Sequence, residues 1–409
     1  MTTIREEAIQ LRLAKKGLLS TVPKVELKDR HDLSIAYTPG VAEPCKDIEK
    51  DKNLAFEYTW RGNLVAIVTD GTRVLGLGDI GPDAAMPVME GKAILFKTFG
   101  GVDAVPICLD TKDPEEFIKT VKYLEPSFAG INLEDISSPK CYEIENRLKA
   151  EMTIPVFHDD QHGTAIAALS ALYGALRYVK KSIGDIKIVV NGAGAAGTAI
   201  ANLLLNAGAK NLILVDSKGA LYDGRSSFDQ VQQELVKKTN LDKVQGSLAD
   251  VIKGADVLIG VSAPGAFTKE IIQKMNSRAI VFGLANPVPE IFYDEAIAAG
   301  AEVAGTGRSD APNQVNNVTV FPGIFRGAFA VRATQINEEM KVAAAKAISD
   351  LVSDDELKSD FIVVDAFDPR VAPAVAAAVA EVAMKTGVAR ISRDIEEVKK
   401  EARTLINRG

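Results

Sequence analysis

The stretch IKIVVNGAGAAGTAIANLLLNAGAKNLILVD, residues 186–216, decides the fold of one part of this chain. An apolar run typical of a buried strand leads into the motif GxGxxG, which opens an apolar stretch with helical spacing. A second apolar run then ends on Asp216, about 20 residues after the last glycine. This order of strand, glycine loop, helix and strand predicts a parallel α/β sheet of the Rossmann type.

The glycine motif itself predicts a phosphate-binding loop, made of Gly192, Ala193, Gly194, Ala195, Ala196 and Gly197. Its first glycine allows a tight turn, its second lets the backbone approach a pyrophosphate, and its third permits close packing of the helix. The helix N-terminus offers unpaired N–H groups to the phosphates. We therefore expect these six residues and Asp216 to bind a dinucleotide. The Asp216 carboxylate favours NAD over NADP, although the nearby Lys218 leaves NADP possible.

A second GxGxxG, at residues 76–81, does not fit this function. Asp79 would place a negative charge inside the phosphate loop, and prolines at positions 82 and 87 interrupt the following helix. We interpret this copy as a turn-rich structural or substrate-side loop.

Outside these motifs the sequence alternates apolar strand-like runs with helical stretches. The runs 63–69, 103–109, 129–135 and 154–160 predict an α/β lobe before the Rossmann lobe. After residue 321 the pattern is mostly helical. We therefore predict an N-terminal metal and substrate domain at 1–161, a Rossmann domain at 162–310 and a helical segment at 311–409 that packs across both.

Composition narrows the function classes. The 409 residues include 48 basic and 55 acidic side chains, a net charge of −7, which argues against nucleic acid as a partner. No segment reads as a signal peptide or a membrane span, so we expect a cytoplasmic protein. With only three histidines, any metal site must be built mainly from oxygen or sulfur ligands.

Two acidic pairs suggest such a site. Glu134 and Asp135 end one predicted strand, and Asp159 and Asp160 end another. Ligands of open α/β sheets collect at the carboxyl ends of strands, so the pairs are expected to converge and bind Mg²⁺ or Mn²⁺. Ordinary solvated acids or helix caps remain the alternative for each pair alone.

Lys92 falls on the apolar stripe of a predicted helix that also carries Ala85, Val88, Met89, Phe96 and Phe99. It could simply extend its ammonium to solvent. Held against apolar surface, its ammonium form would be disfavoured, and the amine could act as a general base near neutral pH.

Together these segments resemble the malic enzymes, and specifically their short bacterial type. The matching segments are SIAYTPGVAEPC, TDGTRVLGLGDIGP, MEGKAILFK, INLEDI, FHDDQHGTA, VVNGAGAAG, GLANPVPEI and NNVTVFPGIFRGA, in family order from about residue 35 to residue 328. The resemblance implies oxidative decarboxylation of L-malate to pyruvate and CO₂ with reduction of NAD(P)⁺.

The resemblance also implies roles for individual residues. Lys92 would be the general base, Tyr37 the general acid that protonates the enolate, and Asp159 the group that orients Lys92. Glu134, Asp135 and Asp160 would hold the divalent ion, and Arg73, Asn286 and Asn317 would bind substrate.

Two alternatives stay open: malate-to-lactate conversion with retained NAD, and a nucleotide-sensing protein without chemistry. The terminal amphipathic helices and the resemblance lead us to expect a homodimer.

Overall fold

The computed structural model describes residues 3–74 and 76–406. Within these ranges the chain forms two sheets, one of four strands and one of six, with helices packed against them. The predicted α/β class with a Rossmann lobe and a second α/β lobe is confirmed. The three domain boundaries stay a prediction.

The first sheet belongs to the N-terminal lobe and is parallel throughout. Its spatial order is β2-β1-β3-β4, with the strands β1 (Leu64–Thr69), β2 (Asp103–Cys108), β3 (Gly130–Leu133) and β4 (Val156–His158). The chain runs from β1 to β2 on one side of β1, and β3 lies on the other side of β1. The carboxyl ends of β1 and β3 therefore enclose a crevice.

The second sheet has the order β10-β9-β8-β5-β6-β7. Its strands are β5 (Lys187–Asn191), β6 (Asn211–Asp216), β7 (Gly219–Ala220), β8 (Val257–Gly260), β9 (Ile280–Gly283) and β10 (Val303–Thr306). All pairs are parallel except β6 with β7, a short antiparallel hairpin that periodicity did not predict because it is only two residues long. Here the crevice lies between the carboxyl ends of β5 and β8.

Seventeen α-helices are present in the described part of the chain. They are α1 (Ile4–Lys15), α2 (Arg30–Ala36), α3 (Ala42–Lys50), α4 (Ala55–Tyr58), α5 (Gly81–Gly100), α6 (Pro114–Leu124), α7 (Lys140–Glu151), α8 (Thr164–Val179), α9 (Ala195–Asn206), α10 (Gln230–Leu235), α11 (Leu248–Val251), α12 (Lys269–Ile272), α13 (Tyr293–Ala299), α14 (Phe321–Ala330), α15 (Glu338–Ser349), α16 (Val371–Lys385) and α17 (Ile395–Ile406). No helix among the described residues is long and apolar enough to cross a bilayer.

The C-terminal helices contact elements of both sheets' lobes. α14 packs against α5 of the first lobe, and α15 packs against α8 and α9 of the second. An aromatic cluster fixes the first contact, since the Phe96 ring centroid lies 4.6 Å from that of Phe321 and 5.3 Å from that of Phe325. One continuous apolar core therefore runs from α5 through α14 to the Rossmann sheet.

Candidate active site

The acidic residues predicted at strand ends lie at the crevice of the first sheet. Glu134 and Asp135 follow β3, and Asp160 lies in a short π-helical turn, Asp159–Gly163, that follows β4. Ligand oxygens of Glu134, Asp135 and Asp160 all lie within 4.8 Å of one another. The predicted convergence of the acidic pairs is confirmed for these three residues.

The backbone shapes this carboxylate triad. Asp135 has a φ of 55°, a left-handed conformation that aspartate tolerates better than most residues. Its backbone N–H donates to Asp160 Oδ2 at 2.8 Å, and its carbonyl accepts from the Arg73 N–H at 3.0 Å. Burial raises the pKa of Asp160 to about 6, although the positive charges of Lys92 and Arg73 oppose the shift. These carboxylate oxygens lie close together, and burial makes their negative charge unfavourable. A hard divalent cation prefers such oxygen donors, so the residues fit Mg²⁺ or Mn²⁺.

Lys92 does not extend to solvent; it is buried on the core side of α5. Its Nζ lies 2.7 Å from Asp159 Oδ2, 2.9 Å from Glu134 Oε1 and 4.5 Å from the centroid of the Phe321 ring. The prediction that its ammonium would be disfavoured is wrong for this arrangement. Burial lowers the pKa of Lys92, but Asp159 and Glu134 outweigh it, so the pKa is raised.

Asp159 differs from its neighbour in sequence because it faces Lys92 rather than the triad. It is fully buried, and its Oδ2 also accepts from Asn317 Nδ2 at 2.5 Å. Burial raises the pKa of Asp159 to about 7, while Lys92 opposes and Glu134 reinforces the shift. The predicted contact between Asp159 and Lys92 is therefore present, and Asn317 belongs to the same cluster.

Gly163 provides the space for this cluster. Its φ of −62° is ordinary, so the backbone does not require glycine there. A Cβ at this position would lie 1.9 Å from Asp159 Oδ1 and 3.0 Å from Asn317 Cβ. Glycine is thus needed because the Asp159 carboxylate occupies the place of a side chain.

A buried polar network supports the π-helical turn from behind. Glu145 Oε1 lies 2.6 Å from Lys149 Nζ and 2.8 Å from His162 Nε2, and Lys341 Nζ lies 3.0 Å from His162 Nδ1. Burial lowers the pKa of His162 to about 4 despite Glu145, so the ring is neutral, donates from Nε2 and accepts at Nδ1. The network ties α7, the turn and α15 together.

The glycine loop of the second sheet has the geometry that its sequence predicted. It joins β5 to α9, and Gly192 has a φ of 117°. A Cβ on Gly192 would lie 2.5 Å from the Val261 carbonyl oxygen. A Cβ on Gly197 would lie 1.8 Å from the Gly192 carbonyl oxygen. Gly194 instead faces open space, with nothing within 4 Å of its Cβ position, where a pyrophosphate could approach.

Asp216 ends β6 as predicted, but its carboxylate is not available as a free acceptor. Arg225 Nη2 lies 2.8 Å from Asp216 Oδ1 and 2.7 Å from Oδ2. The charge argument that favoured NAD over NADP is therefore weakened, because the negative charge at this position is paired.

The substrate-side residues are placed less uniformly. Asn286 is exposed after β9, close to the second glycine loop, since a Cβ on Gly76 would lie 3.6 Å from the Asn286 carbonyl oxygen. That loop contains a tight Val74 to Gly78 bridge, which agrees with its interpretation as a turn. Leu75 lies outside the described residues. Tyr37 is 66% exposed, and in the described ranges no hydrogen bond joins it to Lys92 or Asp159.

Sequence reasoning missed several residues of this site. Asn132 is fully buried in β3 and donates to Glu134 Oε2 at 2.9 Å; an asparagine inside an apolar strand could have signalled it. Phe321, Glu145 and Lys341 approach from distant segments, and Arg225 lies in a loop without a motif. No pattern in the sequence marks those four.

Comparison with known proteins gives a consistent family. Residues 16–149 match the family model "Malic enzyme, N-terminal domain", and residues 161–384 match "Malic enzyme, NAD binding domain". A "Bifunctional malic/malolactic enzyme" of Bacillus subtilis is 59% identical over 98% of each chain. An "NAD-dependent malic enzyme" of Geobacillus stearothermophilus is 56% identical over 91% of this chain and 78% of the relative. The crystal structure of the malic enzyme of Pyrococcus horikoshii has a TM-score of 0.93 and 48% identity, covering 99% of this chain and 96% of that one.

The fold and the site define a two-lobed, nucleotide-dependent oxidoreductase with a carboxylate cluster at the crevice of the first lobe. The chain belongs to the malic enzyme family. It is therefore an enzyme with a NAD-binding domain, and the non-catalytic alternative is not supported.

Proposed function

We propose that this chain catalyses the oxidative decarboxylation of L-malate to pyruvate and CO₂ with reduction of NAD(P)⁺. The observation that carries this proposal is the buried cluster in which Lys92 contacts Asp159 and Glu134 beside the carboxylate triad. A proton acceptor next to a divalent cation site is the combination that removal of a hydroxyl proton and stabilisation of an enolate require.

Glu134, Asp135 and Asp160 would hold Mg²⁺ or Mn²⁺. When bound, the ion would supply Lewis-acid polarisation of the substrate oxygens and would offset the carboxylate charge that raises the pKa of Lys92.

Lys92 would take the proton from the C2 hydroxyl, and Asp159 would orient it. Asp159 Oδ2 is held by Lys92 and Asn317, and Oδ1 occupies the space where a Gly163 Cβ would lie. Arg73 and Asn286 would bind substrate carboxylate and hydroxyl groups at the edge of the crevice, with Asn317 on its inner side. The glycine loop, residues 192–197, and Asp216 would bind the dinucleotide.

We also propose that the working unit is a homodimer in which Tyr37 of one subunit serves the site of the other. None of residues 3–63 is buried, although this segment contains many large apolar side chains. Its most exposed aliphatic side chains are Ile4, Leu13, Val22, Val25 and Ile35. Apolar surface of this extent favours a protein partner, and a second copy would cover it while bringing Tyr37 to Lys92.

Mixing two inactive variants tests this arrangement. If Tyr37 acts across the interface, refolding Tyr37→Phe together with Lys92→Met should restore about a quarter of wild-type activity, because half of the dimers are mixed and each has one complete site. If Tyr37 acts within its own chain, no mixed dimer has a complete site and activity stays absent. A sedimentation mass near that of one 43.7 kDa chain would contradict the dimer.

The reaction is tested with purified protein, L-malate, Mn²⁺ and either NAD⁺ or NADP⁺. We expect equal amounts of pyruvate and reduced cofactor. If neither pyruvate nor reduced cofactor forms, the proposal is overturned. Malate-to-lactate conversion is the second candidate, because the relative from Bacillus subtilis is named for both activities. Lactate formed without net NADH would identify it. We expect a cytoplasmic location, which cell fractionation tests.

A further inference from the structure

The adenosine end of the predicted dinucleotide site contains an arginine whose two terminal nitrogens both bond to protein oxygens. Arg225 Nη2 bonds to both carboxylate oxygens of Asp216. Its Nη1 donates to the carbonyl oxygens of Gly219 and Ala220, each at 3.1 Å. Only 11% of the Arg225 side chain is exposed. The guanidinium is therefore held in place by the β6–β7 hairpin, whose first strand ends at Asp216.

This pairing changes what Asp216 can select. In Rossmann folds a free carboxylate at this position binds the ribose 2′-hydroxyl of NAD and repels the 2′-phosphate of NADP. Here both carboxylate oxygens accept from Arg225, and Asp216 Oδ1 also accepts from the Lys218 backbone N–H at 2.8 Å. The local charge is therefore close to neutral, and the exposed Lys218 side chain adds a positive charge beside it.

We propose that Arg225 determines cofactor selectivity: by pairing with Asp216 it removes the net negative charge at the ribose 2′ position, so that the chain binds NADP as well as NAD. The proposal rests on the dinucleotide site of the proposed function.

Binding of NADH and NADPH, followed by nucleotide fluorescence without malate or metal, tests the proposal. Arg225→Gln should weaken NADPH binding at least about tenfold relative to NADH, because it leaves Asp216 as an unpaired carboxylate that repels the 2′-phosphate. Asp216→Asn should act in the opposite direction and strengthen NADPH binding relative to NADH. Lys243→Gln is the matched control, since it removes a cation from an exposed pair with Asp223 in the same lobe.

Equal weakening of both nucleotides in Arg225→Gln would overturn the proposal, as would a relative change below about threefold. If Arg225→Gln does not fold, Asp216→Asn decides, and an unchanged preference in that variant overturns the proposal. If neither nucleotide binds the wild type, this proposal and the dinucleotide site are overturned together. Nucleotide binding without malate turnover would contradict only the proposed reaction.

Discussion

Gly163→Ala is the sharpest test of the proposed cluster around Lys92, because it adds one methyl group at a place that the Asp159 carboxylate already occupies. The new Cβ would lie 1.9 Å from Asp159 Oδ1, whereas ordinary contacts of this kind exceed about 3 Å. The Asp159 carboxylate must therefore shift by about 1 Å, away from positions 2.7 Å from Lys92 Nζ and 2.5 Å from Asn317 Nδ2.

The expected effect is large on activity and moderate on stability. A displacement of about 1 Å at reacting groups can cost about 100-fold in rate, and we expect kcat to fall by at least that factor. Overpacking a buried site costs about 1–3 kcal/mol, and the lower end applies because the displaced atom belongs to a side chain.

The assay is malate-dependent reduction of NAD(P)⁺ at saturating Mn²⁺, with thermal unfolding measured in parallel. Gly91→Ala is the control: it lies next to Lys92 on α5, and nothing lies within 4 Å of its Cβ position. This variant should keep wild-type kcat. A kcat within about threefold of wild type for Gly163→Ala would show that the position of Asp159 is not critical.

Three further outcomes are expected. Lys92→Met should abolish turnover while NADH fluorescence still reports binding; unchanged turnover would remove Lys92 from the mechanism. Because the pKa of Asp160 is raised to about 6, its carboxylate is mostly protonated below that pH, so Mn²⁺ affinity measured by calorimetry should rise with pH up to about 6 and then level off. Asp160→Asn should remove that dependence, and a pH-independent wild type would contradict the site. Glu145→Gln should lower the free energy of unfolding by about 3–5 kcal/mol, because it leaves buried cations uncompensated. Urea unfolding measures this, and Glu151→Gln on the exposed face of the same helix should have little effect; equal effects would refute the role of the network.

Much of the fold could be predicted from local pattern. Apolar runs marked most strands of both sheets, and the glycine motif identified the turn between β5 and α9. The π-helical turn after β4 was missed because its residues, DDQHG, carry no periodicity of their own. Its conformation depends on the support of Glu145 and Lys341, which lie on α7 and α15.

The candidate site divides in a similar way. Strand-end position was sufficient to predict that Glu134, Asp135 and Asp160 converge. The helical stripe placed Lys92 inside the protein, but the stripe could not predict its protonation, because the two carboxylates that raise its pKa lie after β3 and β4.

The sequence by itself determined the α/β class, the glycine loop and the acidic cluster, because these depend on periodicity, on motif spacing and on the fact that parallel strands end at one edge. Only the tertiary structure decided the charge states and partners within the crevices. Ionisation depends on burial and on charges brought together from distant segments, as Asp159 is brought to Lys92. Asp216 and Arg225 are only nine residues apart in sequence, and their pairing also depends on the folded structure. The fold of one hairpin turns a carboxylate that favours NAD into one half of an ion pair.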